Sequence, residues 1–464
     1  MTLIIVIMLI IGYLLIATGH LTGVSKAAIA MFLGTVGWVV YVCWGSDFVM
    51  QLHAQEYLKF LQSSGMEPNS QIVKYFINSA IFFRYVAHAA GVIMFLLATM
   101  SIVEILNNNG CFDFITEWVR TRNTTRMLWT LTGVTFVLSA NLDNLTTTTV
   151  MLVIMHSVLK RRSQRMLVGS AIVLAANCGG CFTVIGDPIG IILWDKGAVS
   201  ASLFTAHLFL PALAAWVIPT VLICRQLPHR MEIEWVAPPY RGDDTRLNRW
   251  QRYLMLLVGI GGLWFIPTFH DITRLPPFLG ALCVLSVLWV FNEAFNRKLM
   301  QADQMAEHRI PRVLQYGAIQ QLLFVMGIML AMGVMKETGV MDNVATWVFD
   351  TLGRNVWVMG TLLGILSSVV DTFTIAVTSI SFFPVSEGYE GYFSFNGLYW
   401  TVIAYTTAVG GSLLLVGSVS GLALMRMEHI HIGWFMKTIA PKVLLGFIIG
   451  LLVLFAQTAF SSAA

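Results

Sequence analysis

The sequence predicts an all-α polytopic membrane protein of two inverted-topology repeats, each holding a re-entrant hairpin and a discontinuous transmembrane helix. Three observations carry that expectation: an apolar composition, motifs that recur in order along the two halves, and a Lys/Arg distribution that orients the halves oppositely. Of 464 residues, 57% are hydrophobic and only 11% charged, with a mean hydropathy of +0.76. Soluble domains carry about one-quarter charged residues. The formal net charge of +4 is too small to point to nucleic acid.

A transmembrane helix needs roughly 20 apolar residues. Runs near 3–19, 27–44, 86–106, 167–194, 205–223, 252–269, 277–293, 315–335, 398–425 and 433–458 approach or exceed that length. The first run lacks a basic start and an A-x-A-like site before the polar "TGH", so it reads as a membrane helix rather than a cleaved signal. Residues 45–85 contain amphipathic stretches such as "QLHAQEYLKFLQ", expected to lie at the membrane interface. Two further runs, 127–159 and 355–383, are apolar but interrupted by polar residues at their middles. The polar loop 224–252, with six Arg, divides the chain. The expected organisation is therefore N-terminal scaffold helices in 1–85, a first repeat in 86–223, and a second in 253–458.

The repeats are visible as motifs. "FLLATMSIVEILNNNGCFDFITEWV" aligns with "GIMLAMGVMKETGVMDNVATWV", pairing Glu104 with Glu337. "LSANLDNLT" aligns with "LSSVVDTFT", pairing Asp143 with Asp371, and "GGCFTVIGD" aligns with "GGSLLLVGS", pairing Asp187 with Ser418. The offsets of 233, 228 and 231 residues are nearly constant, and chance resemblance among Gly-rich helices does not explain the order of all three.

Lys and Arg concentrate in cytoplasmic loops. Segment 127–159 has Arg120, Arg122 and Arg126 before it and Lys160, Arg161, Arg162 and Arg165 after it, so both its ends belong on one side, as in a re-entrant hairpin. Its twin 355–383 has Arg354 on one flank and "SEGYEGYFSFNG" on the other, and should open outward. Loops 224–252 and 294–312 (Arg297, Lys298, Arg309, Arg312) then fall inside, and both termini fall outside. Inverted repeats of this kind give two similar states, each open to one side, which suits a transporter.

Irregular backbone at membrane depth is tolerated where it is buried in protein or lines a cavity. Glycines at Gly179, Gly180, Gly186, Gly410, Gly411 and Gly417 mark two helix interruptions, and side-chain oxygens cluster at these and at the two hairpin tips. The first hairpin offers Asn141, Asp143, Asn144 and Thr146; the first broken helix Asn177, Thr183 and Asp187. The second hairpin offers Ser367, Asp371 and Thr372; the second broken helix Ser412 and Ser418. A carboxylate at the bilayer centre costs a few kcal/mol even on lenient scales, so three of them at three breaks mark a functional site. Hard cations such as Na+ want several oxygen ligands. A desolvated carboxylate also gains proton affinity, so cation and proton compete for it. The bland alternative is helix capping, for which Asp, Asn and Thr are well suited. One residue can do both.

Other residues carry weaker signals. Glu104 and Glu337 suit a gate or proton path, or equally an interfacial helix end. His88 is expected to pack, His429 and His431 to be solvated, and Asp195–Lys196 to form an external loop. Cys178 and Cys181 form a C-x-x-C, but no second ligand pair exists for zinc and no soluble βαβ context for a redox pair. The twin motif has no cysteine, so both read as packing residues. No transition metal or cofactor is expected.

"ATMSIVEIL", "LDNLTTTTVM", "NCGGCFTVIGDP" and "AVGGSLLLVGSVSGLALMRME" together resemble the NhaD-type Na+/H+ antiporters of the ion transporter superfamily, which also holds dicarboxylate/citrate and arsenite carriers. The likeness covers about residues 86–455. It implies a homodimer in the bacterial inner membrane that exports Na+, and often Li+, in exchange for H+. The cation-site positions it implies are Asp143, Asn144, Asn177, Asp187, Ser367 and Asp371. Two departures stand out: Thr372 where the family commonly has Asn, and Pro188-Ile189-Gly190 where it tends to have hydroxyl residues.

Two other functions fit the sequence less well. Sodium- or proton-coupled uptake of a di- or tricarboxylate would use Asn144, Thr146 and Ser418, with Asp143 and Asp371 repelling the dianion. An intramembrane aspartyl protease would need Gly at position 184 and Tyr before Asp143; Val184 and Leu142 stand there. The chain is thus expected to be a transporter rather than an enzyme. Because Ser418 replaces Asp187 in the twin motif, the cation should sit nearer the first half.

Overall fold

A computed structural model describes residues 2–65, 67–119, 121–230, 247–302, 312–386 and 391–463. Most of the basic loop 224–252 and part of 294–312 lie outside the described residues. Long apolar runs with few helix breakers fold as helices because every backbone N–H and C=O must be satisfied where water is absent. The chain starts with α1 (Thr2–Thr22) and α2 (Lys26–Trp44), followed by short α3 (Ser46–Leu52) and α4 (Ala54–Ser64). Next α5 (Ser70–Phe76) continues through a π-helical turn, Ile77–Phe82, into α6 (Phe83–Asn108). This continuous rod starts well before the apolar run expected at 86–106. Its 39 residues extend roughly 58 Å at 1.5 Å per residue, more than a bilayer core requires.

After α7 (Asp113–Val119) come α8 (Thr124–Ser139) and α9 (Asn144–Val158), then α10 (Arg162–Cys181) and α11 (Pro188–Asp195), and the long α12 (Ala201–Cys224). Helices α13 (Arg249–Leu256) and α14 (Gly262–Thr273) are joined by a second π turn, and α15 (Pro277–Ala302) and α16 (Arg312–Glu337) follow. The chain then forms α17 (Val340–Thr351), α18 (Val356–Val369) and α19 (Thr372–Phe382). It ends with α20 (Leu398–Gly410), α21 (Val419–Glu428), α22 (Ile432–Thr438) and α23 (Ala440–Ala463). Among the described residues there is no strand, and eight helices are long and apolar enough to cross a membrane. The protein is an all-α polytopic membrane protein.

Polarity is arranged inside-out. Leu14, Val39, Leu257, Val290 and Leu452 are exposed on outer faces, while Asp143, Asn177, Asp187 and Asp371 are buried inside. Exposed apolar side chains cost nothing against lipid tails, whereas a charge there would be expensive.

Four helices stop and restart, at 140–143, 182–187, 370–371 and 411–418. Pro188, which has no N–H to lose, opens α11. Glycines let the broken strands of helix approach one another. A Cβ on Gly180 would overlap Oδ1 of Asn144, and one on Gly411 would overlap the hydroxyl of Thr372. Gly179 and Gly410 are pressed against the carbonyls of Phe136 and Gly364, and Gly186 and Gly417 against the backbones of Ser139 and Ser368. The first two glycine pairs thus make corresponding contacts in the two halves, and the contact of the third is shifted by one residue.

Helices α2 and α16 pack along each other. Gly34 meets the Gly327 carbonyl, and Trp38 Nε1 donates to the Leu330 carbonyl at 3.0 Å, so the two run parallel. Lys26, at the start of α2, therefore comes level with Ile319, two residues from Gln321.

Candidate cation site

The four interrupted helices leave N–H groups at half-helix starts, where partial positive charge favours anions. Each aspartate sits at such a start. Asp143 caps α9: its Oδ2 accepts from the backbone N–H groups of Leu145 (3.1 Å) and Thr146 (3.2 Å) and from the Thr146 hydroxyl (3.3 Å). Asp371 caps α19, with Oδ2 accepting from the N–H of Thr374 (3.2 Å) and its hydroxyl (3.3 Å). Asp187 caps α11 through Oδ1, which accepts from Ile189 N–H at 3.0 Å.

The second oxygen of each carboxylate faces a side-chain donor. Gln321 Nε2 on α16 donates to Asp143 Oδ1 at 3.0 Å. Asn144 Nδ2 donates to Asp187 Oδ2 at 2.7 Å. Lys26 Nζ lies 3.2 Å from Asp371 Oδ1 and 3.2 Å from the Val416 carbonyl. Capping and an outward-facing oxygen thus coexist on all three aspartates.

The three carboxylates border one cavity of about 50 Å³, together with Asn144, Asn177, Thr372, Ser418, Gln321 and Phe324. That volume holds one or two water-sized species. Gln321 Oε1 is buried and has no hydrogen-bond partner among the described residues. Among the described residues no cationic side chain pairs with Asp143 or Asp187, whereas Asp371 has Lys26.

Thr183, Ser367, Ser412 and Asn141 do not line the cavity, while Ser418 and Thr372 border it. Thr183 donates its hydroxyl to the Ala140 carbonyl and accepts from Gly186 N–H at 3.0 Å, holding the first break against the hairpin. Ser367 donates to the carbonyls of Gly364 (2.7 Å) and Thr407 (3.0 Å). Its counterpart Ser139 donates to the Ala176 carbonyl and to Asn144 Oδ1, both at 2.7 Å. Ser412 accepts from Asn177 Nδ2 at 2.8 Å, joining the two broken helices. Asn141 donates to the Val137 carbonyl at 3.1 Å, and Ser418 caps α21 through Gly421 N–H at 3.0 Å. Thr372 donates its hydroxyl to the Gly417 carbonyl at 2.8 Å, so it does not reproduce the Asn144 contact.

Several residues lie elsewhere. Glu337 is roughly 24 Å from Gln321 along α16, at 1.5 Å per residue. It is buried and accepts from Tyr85 Oη and His53 Nε2, each at 2.7 Å. Glu104, half-buried in α6, does not line the cavity. His88 does not pack: it is exposed, with Nδ1 3.0 Å from Asp195, because its helix position faces outward. Lys196 is no free loop residue; it reaches the carbonyls of Ile380 and Phe383, the latter at 2.7 Å, and lies over the Trp400 ring. Cys178 and Cys181 are buried free thiols.

The sequence reading missed Gln321 and Lys26. The available signals were a Gln-Gln pair inside the apolar run "AIQQLLFVMGIML", and a lysine at a helix start, where the helix dipole disfavours positive charge.

The sequence model of a family described as citrate transporter matches residues 2–400. The chain is 27% identical over 447 residues to a protein named sodium/proton antiporter 2 from Arabidopsis thaliana, covering 96% of this chain and 97% of that protein. It is 30% identical over 374 residues to sodium/proton antiporter 1 of the same plant, covering 79% of this chain and 61% of that protein. To the Na+/H+ antiporter NhaD of Vibrio cholerae it is 27% identical over 394 residues, 78% of this chain and 77% of that one. The chain is a multi-pass membrane transporter and belongs to the citrate transporter family of the ion transporter superfamily.

Proposed function

We propose that the protein is a secondary antiporter that exports Na+, and also Li+, in exchange for H+ by alternating access. The observation that carries this reading is the pair Asp143 and Asp187. They share a small buried cavity and have no cationic partner among the described residues. Two buried carboxylates cannot both remain charged without a compensating positive species. A cation satisfies them with the Asn177 carbonyl oxygen while the Asn144 amide holds Asp187, and the unpartnered Gln321 Oε1 adds another ligand. Protons satisfy them otherwise. Loading Na+ on one face therefore drives protons off, and reloading protons on the other face releases Na+. Relatives named sodium/proton antiporters support the same reading.

In this account the hairpins and broken helices move against α2 and α16, the repeats 86–223 and 253–458 exchange roles, and residues 1–85 belong to the scaffold. The protein works as a homodimer in the cytoplasmic membrane of a bacterium, with both termini outside.

The family's name favours a second reading, coupled uptake of a di- or tricarboxylate. The cavity argues against it. Organic-ligand pockets run to roughly 300–1,000 Å³, against about 50 Å³ here, and three carboxylates repel a dianion. Purified protein in proteoliposomes with an imposed pH gradient tests both: Na+ or Li+ should collapse the gradient, and citrate or succinate should not accumulate. Saturable citrate uptake without cation-driven proton flux would reverse the ranking.

A further inference from the structure

The two halves of the cavity are not chemically equal, and the inequality is filled by a residue from outside both repeats. In the first half, Asn144 and Asp187 supply an amide and a carboxylate beside Asp143. Their counterparts are Thr372 and Ser418, and the Thr372 hydroxyl is turned to the Gly417 carbonyl. The second half thus keeps one carboxylate, Asp371, with a backbone carbonyl, Val416, beside it. Lys26 Nζ lies 3.2 Å from both oxygens, so an ammonium stands where an alkali cation would find a carboxylate and a carbonyl.

The placement is specific. Lys26 is the first residue of α2, the end at which the helix dipole repels positive charge, so the position gains from a carboxylate. Its side chain is 15% exposed and that of Asp371 only 1%, so this is a desolvated pair rather than a solvated surface contact. The close packing of α2 on α16 puts Lys26 level with the Gln321 region. One helix pair therefore meets both hairpin aspartates, offering an amide to Asp143 and an ammonium to Asp371.

We infer that Lys26 is a tethered cation that occupies the second of two pseudo-equivalent aspartate sites, closing it to Na+ and setting the load at one cation per chain. Lys26 is thus a positioning and specificity-determining residue. The inference rests on the cation-antiport reading above and assigns it a stoichiometry. Removing the ammonium leaves Asp371 on the cavity wall and frees the Val416 carbonyl that Lys26 also holds, and Na+ takes the ammonium's place.

Equilibrium binding of radioactive Na+ to the purified full-length protein tests this. Wild type and Lys26→Arg should bind one Na+ per chain. Lys26→Met should bind two, and Lys26→Met combined with Asp371→Asn should return to one. In exchange assays the Hill coefficient for Na+ should rise from about 1 toward 2 in Lys26→Met. A stranded buried carboxylate can impair folding. Lys26→Gln, which still donates to Asp371, is therefore run in parallel with the same expected second Na+. An unchanged stoichiometry in both variants overturns the inference, as does a second Na+ that survives Asp371→Asn. If wild type binds one Na+ that Asp143→Asn removes and Lys26→Met gains none, only this inference fails. If wild type binds none and Lys26→Met gains one through Asp371, the antiport reading fails and the load of one per chain falls with it, while the closing of the Asp371 site by Lys26 is upheld. Absence of Na+ binding in every variant overturns both.

Discussion

Asn144 Nδ2 donates to Asp187 Oδ2 at 2.7 Å while Asn144 Oδ1 accepts from Ser139 Oγ at 2.7 Å, so one amide joins the first hairpin to the restart of the first broken helix. Asn144→Ala leaves a buried carboxylate oxygen without its donor. Hydrogen bonds to charged groups contribute about 1.5–3 kcal/mol. The Na+ concentration for half-maximal exchange should therefore rise about tenfold or more. An unchanged half-saturation would mean the amide plays no part in holding the cation.

Gln321 is the donor that α16 brings to Asp143, and its other amide atom has no partner among the described residues. Gln321→Leu removes both at once. We expect weaker Na+ binding, again by about tenfold, together with a lower melting temperature, because Asp143 Oδ1 loses its buried donor. Gln321→Glu should instead add proton competition and shift the Na+ dependence toward higher pH.

The glycines at the breaks are tested by added methyl groups. Gly410→Ala drives a Cβ into the Gly364 carbonyl, and overpacking of this kind costs about 1–3 kcal/mol or more. Gly411→Ala strikes the Thr372 hydroxyl, which has to turn away from Gly417. Both should lower the melting temperature in detergent. Gly433→Ala lies in α22, where a Cβ would meet nothing within 4 Å, and should leave it unchanged or raise it slightly, because Ala favours a helix over Gly. Equal melting temperatures in all three would contradict the close packing.

The His53–Glu337 pair, outside the hairpins, gives a pH signature. The hydrogen bond with Glu337 raises the His53 imidazole above its ordinary 6.5, against the opposing effect of burial. For a base whose folded pKa is raised, the stabilisation is fully present below the unfolded value and is lost as pH rises through the folded one. The melting-temperature difference between wild type and His53→Gln should therefore be largest below about 6.5 and shrink on the alkaline side. A difference that grows with pH would reverse the assignment.

The helix breaks were legible in the sequence because Gly-Gly, Pro and Asp act locally: Asp187 caps the residue two positions on, and Pro188 opens the helix beside it. The pairing of Asp143 with Asp371 was legible because it recurs at a near-constant spacing. Partners across the fold were not. Lys26 and Asp371 are 345 residues apart, and Gln321 and Asp143 are 178 apart. No local pattern encodes which helix face meets a hairpin tip. His88 illustrates the same limit: an apolar neighbourhood in sequence became an exposed helix face turned toward Asp195.

Proton movement driven by Na+ in proteoliposomes tests the central claim most directly. Wild type should dissipate an imposed pH gradient on addition of Na+ or Li+, while Asp143→Asn and Asp187→Asn, purified as folded protein, should lose nearly all of that flux. Undiminished Na+-driven flux in the variant carrying both substitutions would show that these carboxylates are not where cation and proton compete.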